Sequence, residues 1–229
     1  NVLVIQAFSA LAAGGAIICA QYIGQKNKER ANESARQVLF IITVISIVVS
    51  LICLIFQKPL LRVIFGSVEA EVMRASEIYF FYTALSFPFI AAYDAAASIF
   101  RAQDNTKGPM IISMISNVMN IVGNAIMIWG FHMGVAGAAI ATLVSRIFCA
   151  VVVLIQLRKD RQPIVVRDYM KIRPNWSMIR RILGIGIPSG VENSMFQLGK
   201  LAIQSTVSTL GTASIAAQAM TNILENLNG

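Results

Sequence analysis

The sequence predicts an all-α, polytopic transmembrane helical bundle, on three observations. Long apolar runs carry almost no charge, the gaps between them are basic, and the overall composition is too apolar for a surface that faces water. Of 229 residues, 56% are hydrophobic and only 13% charged, and the mean hydropathy is +0.68; soluble domains carry about twice that charge. A water-soluble globule is excluded first. The net charge of +8 would suit nucleic acid only if the basic residues formed one patch, whereas here they punctuate the apolar runs. They read instead as topology markers that also meet anionic membrane lipid. Cys19, Cys53 and Cys149 all lie inside apolar stretches, and His132 is the single histidine, so neither a disulfide framework nor a zinc site is expected.

The elements follow in chain order. Residues 1–25 are uncharged, and about 20 such residues cross a bilayer as a helix, giving span A. The charged stretch Lys26–Arg36 precedes span B at Gln37–Gln57, and span C occupies about Ile78–Phe100 with Asp94 inside. The segment Gly108–Ser145 has no charged residue and is too long for one helix; Gly130-Phe131-His132-Met133-Gly134 interrupts it. Span D is therefore about Met110–Trp129, and span E about Val135–Leu157 with Arg146 inside. Span F covers about Ile182–Thr209 with Glu192 and Lys200, and span G starts near Ala213. The chain starts with Asn rather than Met and its last residues read as an unfinished helix, which predicts a piece of a longer membrane protein. Short internal repeats are not evident.

Sidedness follows from the basic residues in alternate loops, because Lys and Arg are retained on the cytoplasmic side. The A/B, C/D and E/F loops hold 14 of them and the B/C and D/E loops three (Lys58, Arg62, Arg74). Asn1 is thus expected on the outer side of an inner (plasma) membrane. The E/F loop, Arg158–Arg181, is the one clear composition shift in the chain. It divides the sequence into a first bundle at 1–157, a basic cytoplasmic linker at 158–181 that ends in an interfacial helix near Trp176, and the start of a second bundle at 182–229.

Polar groups at membrane depth are costly unless they face a cavity or another helix. On span D, Ser113, Asn117, Asn120 and Asn124 fall within a stripe about 60° wide at 100° per residue. Such a stripe serves either as interhelical glue or as a cavity lining. At about 1.5 Å per residue, Asn120 and Asn124 lie about 21 and 27 Å from Thr106, and Thr142 about 10 Å below the opposite face, near the height of Tyr79. Depth alone therefore allows these four to meet in the outer half of the membrane. Asp94 and Arg146 are expected to form a structural ion pair. Glu192 falls near the midplane, four residues after Pro188 in a glycine-rich stretch. A helix loosened there would suit ion binding. Pro88 reads as a simple kink. No phosphate loop, Ser/His/Asp set or paired carboxylates is present, which argues against an enzyme.

The stretches AQYIGQKNKERANESARQ, SIFRAQDNTKGPM, NIVGNAIMIWGFHMGVAGAAIATLVSR, IGIPSGVENSMFQLGKL and TLGTASIAAQAM resemble, in order, the multidrug and toxic compound extrusion (MATE) family of antiporters. The resemblance implies a fold of twelve helices in two six-helix lobes, of which this chain matches helix two to part of helix eight. In family members with a described proton site, an acid on helix one is joined by Tyr, Asn, Asp and Thr from helices four to six. The matching positions are Tyr79, Asn120, Asn124 and Thr142. Asn124 stands where the family has Asp, and the helix-one acid lies outside this sequence, which shifts weight to Glu192 as the group that couples to a cation.

The resemblance implies a monomeric secondary antiporter that exports organic cations or drugs in exchange for H⁺ or Na⁺ by alternating access, with no cofactor besides that ion. Its partners are a small organic cation and membrane lipid, and no nucleic acid. Two rival expectations are a flippase for lipid-linked precursors from the same superfamily and a non-transporting membrane scaffold.

Overall fold

The computed structural model describes residues 2–65, 70–158, 164–166 and 174–208. The described residues form helices, with no strand among them: α1 (Val2–Gly24), α2 (Lys28–Ile55), α3 (Gln57–Phe65), α4 (Ala70–Ala102), α5 (Lys107–Ala125), α6 (Gly134–Leu157) and α7 (Trp176–Ser208), with a π-helical turn at Ile126–Gly130. Five of them are long and apolar enough to cross a membrane: α1, α2, α4, α5 with its π turn, and α6. α7 runs over most of expected span F and begins six residues before it, but is not among those five. Span G lies outside the described residues. By compactness the chain divides into units 1–190 and 191–229.

Several boundaries differ from expectation, each for a local reason. The charged stretch before span B is helical from Lys28, because Asn27 caps it: its Oδ1 accepts from Arg30 N at 3.1 Å. The B/C connection contains α3, a nine-residue amphipathic helix that a count of uncharged residues overlooks. Trp176 is the first residue of α7, 74% exposed, and no separate interfacial helix precedes it among the described residues.

α4 is the centre of the first unit and packs against α1, α2 and α6, while α5 packs chiefly on α6. Its small and aromatic residues Ala84, Phe87, Ala91, Ala95, Ala96, Ile99 and Phe100 are all buried. Phe87 meets Phe8 of α1 edge to face, with ring centroids 6.2 Å apart. By contrast α5 exposes Met110, Ile111, Met114, Ile115, Val118, Ile121 and Val122, an apolar face suited to hydrocarbon.

α4 runs through Pro88 without a break. Proline has no N–H to offer the carbonyl four residues back, here Ala84. The Ser50 hydroxyl of α2 supplies that bond instead, donating to Ala84 O at 2.7 Å in a buried setting. The helix at Pro88 is thus stitched to its neighbour α2.

Two turns, α1/α2 and α4/α5, are built alike, a likeness that reading along the sequence did not detect. Each ends its helix on a left-handed residue, Lys26 (φ 56°) or Asp104 (φ 59°). In each, the next residue's N–H reaches back to close the helix: Asn27 to Tyr22 O and Asn105 to Phe100 O, both at 3.0 Å. Each asparagine then caps the following helix, Asn27 at Arg30 N and Asn105 at Gly108 N. Asn or Asp tolerates such backbone positions better than a bulky residue, and Lys26 is the exception.

The basic linker is tied to the ends of these helices. Ile164 and Val166 are fully buried; Ile164 N donates to Gln103 Oε1 and Val165 N to Asn32 Oδ1, each at 3.0 Å. Further on, Asn175 bonds Gln37 and Glu33, and Arg181 donates to the Tyr22 hydroxyl at 3.0 Å.

Candidate functional site

The polar stripe of α5 faces α6 because small residues let the two backbones approach. A methyl group on Gly123 would sit 3.2 Å from the Ala141 Cβ, and one on Gly137 only 2.8 Å from the Met127 Cβ in the π turn. Helices that touch through such residues in a membrane bring short polar side chains within hydrogen-bonding range. Ser116 Oγ donates to Ser145 O at 3.1 Å. One turn on, Asn120 Nδ2 donates to Thr142 Oγ1 at 3.3 Å, and the Thr142 hydroxyl in turn donates to Ala138 O at 2.9 Å. Asn124 Nδ2 donates to Asn120 Oδ1 at 3.2 Å.

The result is a directed relay, Asn124 to Asn120 to Thr142 to the backbone of α6. Its free end is an acceptor: Asn124 Oδ1 is buried and has no hydrogen-bond partner. A buried carbonyl oxygen without a donor costs about 1–3 kcal/mol, and a ligand that brings an N–H group or a cation removes that cost. The relay ends at the π turn, a distortion found in helices at functional positions.

α4 contributes a second polar group. Arg146 Nη1 donates to Ser86 Oγ at 2.6 Å, and the Ser86 hydroxyl donates to Thr83 O at 2.6 Å. The expected Asp94–Arg146 ion pair is therefore not formed: the guanidinium is held by Ser86, and Asp94 Oδ2 is buried without a hydrogen-bond partner. The reason lies in position along α4, since Asp94 is eight residues from Ser86, about 12 Å of helix. Asp94 and Tyr79 remain within electrostatic reach of Arg146.

The other expected site residues are placed less centrally. Tyr79 is 38% exposed and is joined to the relay by no hydrogen bond; its carbonyl accepts from Thr83. Asn117 is exposed on α5, while Ser113 is half-buried. Tyr93 of α4 donates to Pro109 O at 3.0 Å. Glu192 is exposed and belongs to the second unit, on a helix that runs unbroken through Pro188. The loosening expected there is not seen. Reading along the chain overlooked Ser86, although a signal was present: Tyr79, Ser86 and Tyr93 are spaced by seven and share one face of a helix.

An apolar cavity of about 440 Å³ lies between α2, α4 and α6, lined by Leu39, Val44, Pro88, Ala92, Val151 and Leu154 among others. It opens on the face of α4 opposite Tyr79 and Ser86, by helical angle, and has no part in the polar site. No group of three or more metal-ligating side chains occurs among the described residues.

A family model described as MatE matches residues 1–126, which include Asn120 and Asn124. The chain is 27% identical over 220 residues to a probable multidrug resistance protein, YoeA, of Bacillus subtilis, covering 93% of this chain and 47% of that protein. It is 26% identical over 222 residues to a probable multidrug resistance protein, NorM, of Thermotoga maritima, covering 94% and 46%. Among solved structures, a MOP superfamily transporter from Pyrococcus furiosus superposes with a TM-score of 0.86 at 22% identity, covering 98% of this chain and 50% of that one. A MATE structure in the bent conformation gives 0.84 at 21%, covering 95% and 48%. These likenesses establish the fold. The chain spans about half the length of the relatives it matches. Matched by the family model over more than half of its residues, and built of the same helices, the chain belongs to the MatE family of multi-pass membrane transporters.

Proposed function

We propose that this chain forms the first lobe and the start of the second in a secondary antiporter that exports organic cations or drugs in exchange for H⁺ or Na⁺ by alternating access. In this reading 1–157 is the first lobe, 158–181 the cytoplasmic linker and 182–229 the beginning of the second, in a transporter that works as a monomer in the plasma membrane. Asn1 lies on the outer side. The observation that carries the reading is the unpartnered Asn124 Oδ1 at the head of the Asn124–Asn120–Thr142 relay. A fixed acceptor in a low-dielectric setting attracts a cation or an N–H donor, and costs little to leave hydrated when the site opens to water. The relatives' descriptions as multidrug resistance proteins support the same class of cargo.

Ethidium efflux from cells that express the intact protein, with and without an imposed H⁺ or Na⁺ gradient, tests it. Efflux that follows one of the gradients is expected. Ethidium retention equal to that of cells lacking the protein, under both gradients, would reject the reading; phospholipid-precursor translocation by the same protein would put the flippase in its place.

A further inference from the structure

We propose that the apolar cavity between α2, α4 and α6 holds one acyl chain of an anionic phospholipid from the leaflet on the linker side, with the lipid phosphate at Arg36. The proposal is independent of what the transporter carries.

The cavity, about 440 Å³ in volume, has Thr43 as the one hydroxyl among its lining side chains. Leu39 and Ala150 are buried at its base, whereas Val44 and Val151 are 39% and 48% exposed, so it opens outward from the bundle. Small residues leave the space: Ala92 of α4 and Ala150 of α6 meet there beside Pro88. An apolar cavity of this kind stays dry. Its three helices are each long and apolar enough to cross a membrane, so the medium that reaches it is hydrocarbon.

The charged end of the groove selects the lipid. Arg36 precedes Phe40 by four residues and Thr43 by seven, and so falls on the face of α2 that lines the cavity. Arg158, exposed at the end of α6, follows Leu154 by four. Both stand at the linker end of the bundle, where Val165 N bonds Asn32. Eight residues separate Arg36 from Val44, and eight separate Ala150 from Arg158. That is about 12 Å of helix, within the depth of one leaflet, about 15 Å.

Arg36 Nε is buried and has no hydrogen-bond partner. Glu33, the nearest acid along α2, accepts from Asn175 Nδ2 at 2.7 Å instead. A buried N–H without an acceptor is costly, and a phosphate or ester oxygen at that level removes the cost. A zwitterionic head group offers the same phosphate but adds a cation that the two arginines repel. Basic pockets between transmembrane helices hold anionic head groups in this way.

The test uses the intact protein in phosphatidylcholine vesicles that contain phosphatidylglycerol, either lipid carrying a photoactivatable diazirine midway along one acyl chain. The phosphatidylglycerol probe is expected to label the cavity-lining segments of α2, α4 and α6 more strongly than the phosphatidylcholine probe, a preference that high salt weakens. Arg36→Gln should lower phosphatidylglycerol labelling there by about fivefold, the effect of one basic residue at a membrane surface. Arg36→Lys should keep most of it, and phosphatidylcholine labelling should change in neither. Ala92→Phe fills the cavity and should remove labelling by both probes, whereas Leu51→Phe, at an exposed position of α2 outside the cavity, should leave both unchanged. The wild-type pattern and the Arg36 pair decide the matter even if Ala92→Phe folds poorly. Equal labelling by the two probes, spread over all exposed apolar positions, would reduce the groove to ordinary bilayer contact. A cavity unlabelled in folded wild-type protein would mean that another helix of the intact protein or a second copy fills it, and the proposal fails. A phosphatidylglycerol preference that survives Arg36→Gln would place the head group elsewhere and equally overturn it.

Discussion

Gly14 of α1 and Gly186 of α7 bring their two backbones into contact: a Cβ built on Gly14 would lie 2.7 Å from the Gly186 nitrogen and 2.8 Å from its Cα. A side chain cannot share that space with backbone atoms, which have no rotamer by which to yield. Arg181 and Tyr22 fasten the same two helices further along, by a hydrogen bond and by the guanidinium lying 6.0 Å from the ring centre. The first half of α7 is thus seated on α1 through small residues at one level and a polar latch at another.

Gly14→Val should therefore force α1 and α7 apart, at a cost of about 1–3 kcal/mol. Gly184→Ala, whose new methyl meets nothing within 4 Å, should leave stability unchanged or slightly raised. Thermal unfolding of the two purified variants in the same detergent separates them. Equal melting temperatures would show that the helices close by some other contact.

The stitch at Pro88 predicts a non-additive pair. Ser50→Ala strips the donor from the Ala84 carbonyl and should destabilise by about 1–3 kcal/mol. In a Pro88→Ala background the helix supplies its own N–H to that carbonyl, so the same Ser50→Ala change should cost much less. A double-mutant cycle read by thermal or chemical unfolding measures the difference. Equal costs in both backgrounds would mean that Ser50 is not compensating for the proline.

Asn120 is the middle of the relay and serves as both donor and acceptor. Asn120→Leu should abolish ethidium efflux while membrane insertion and yield are preserved, because the relay loses its central donor and acceptor while the helix gains apolar surface. Thr142→Val, which removes only the far anchor, should weaken efflux less. Transport at wild-type rate by the Leu variant would reduce the relay to helix glue.

Sidedness can be read with single cysteines at Lys107 and Arg74, both exposed, in a background with Cys19, Cys53 and Cys149 replaced. Lys107→Cys should react with a membrane-impermeant maleimide only from the cytoplasmic side, and Arg74→Cys only from outside. The reverse pattern would invert the topology.

The sequence by itself determined the class of the molecule and the position of its crossings. Apolar run length and the placement of Lys and Arg depend on the solvent each segment meets, and that information is local. It also marked Asn120, Asn124 and Thr142, because a polar group in hydrocarbon stands out against its neighbours before any packing is known. Tertiary structure alone decided which polar groups meet. Ser86 rather than Asp94 holds Arg146, and Ser50 rather than solvent satisfies Ala84. The likeness of the two turns, carried in the sequence only by Gln-Lys-Asn at 25–27 and Gln-Asp-Asn at 103–105, was established by their matching hydrogen bonds. Such choices depend on distances between helices of about one residue's rise, set by where Gly14, Gly123 and Gly137 allow backbones to close. Hydrophobic periodicity describes each helix against its surroundings and carries no information on that register between helices.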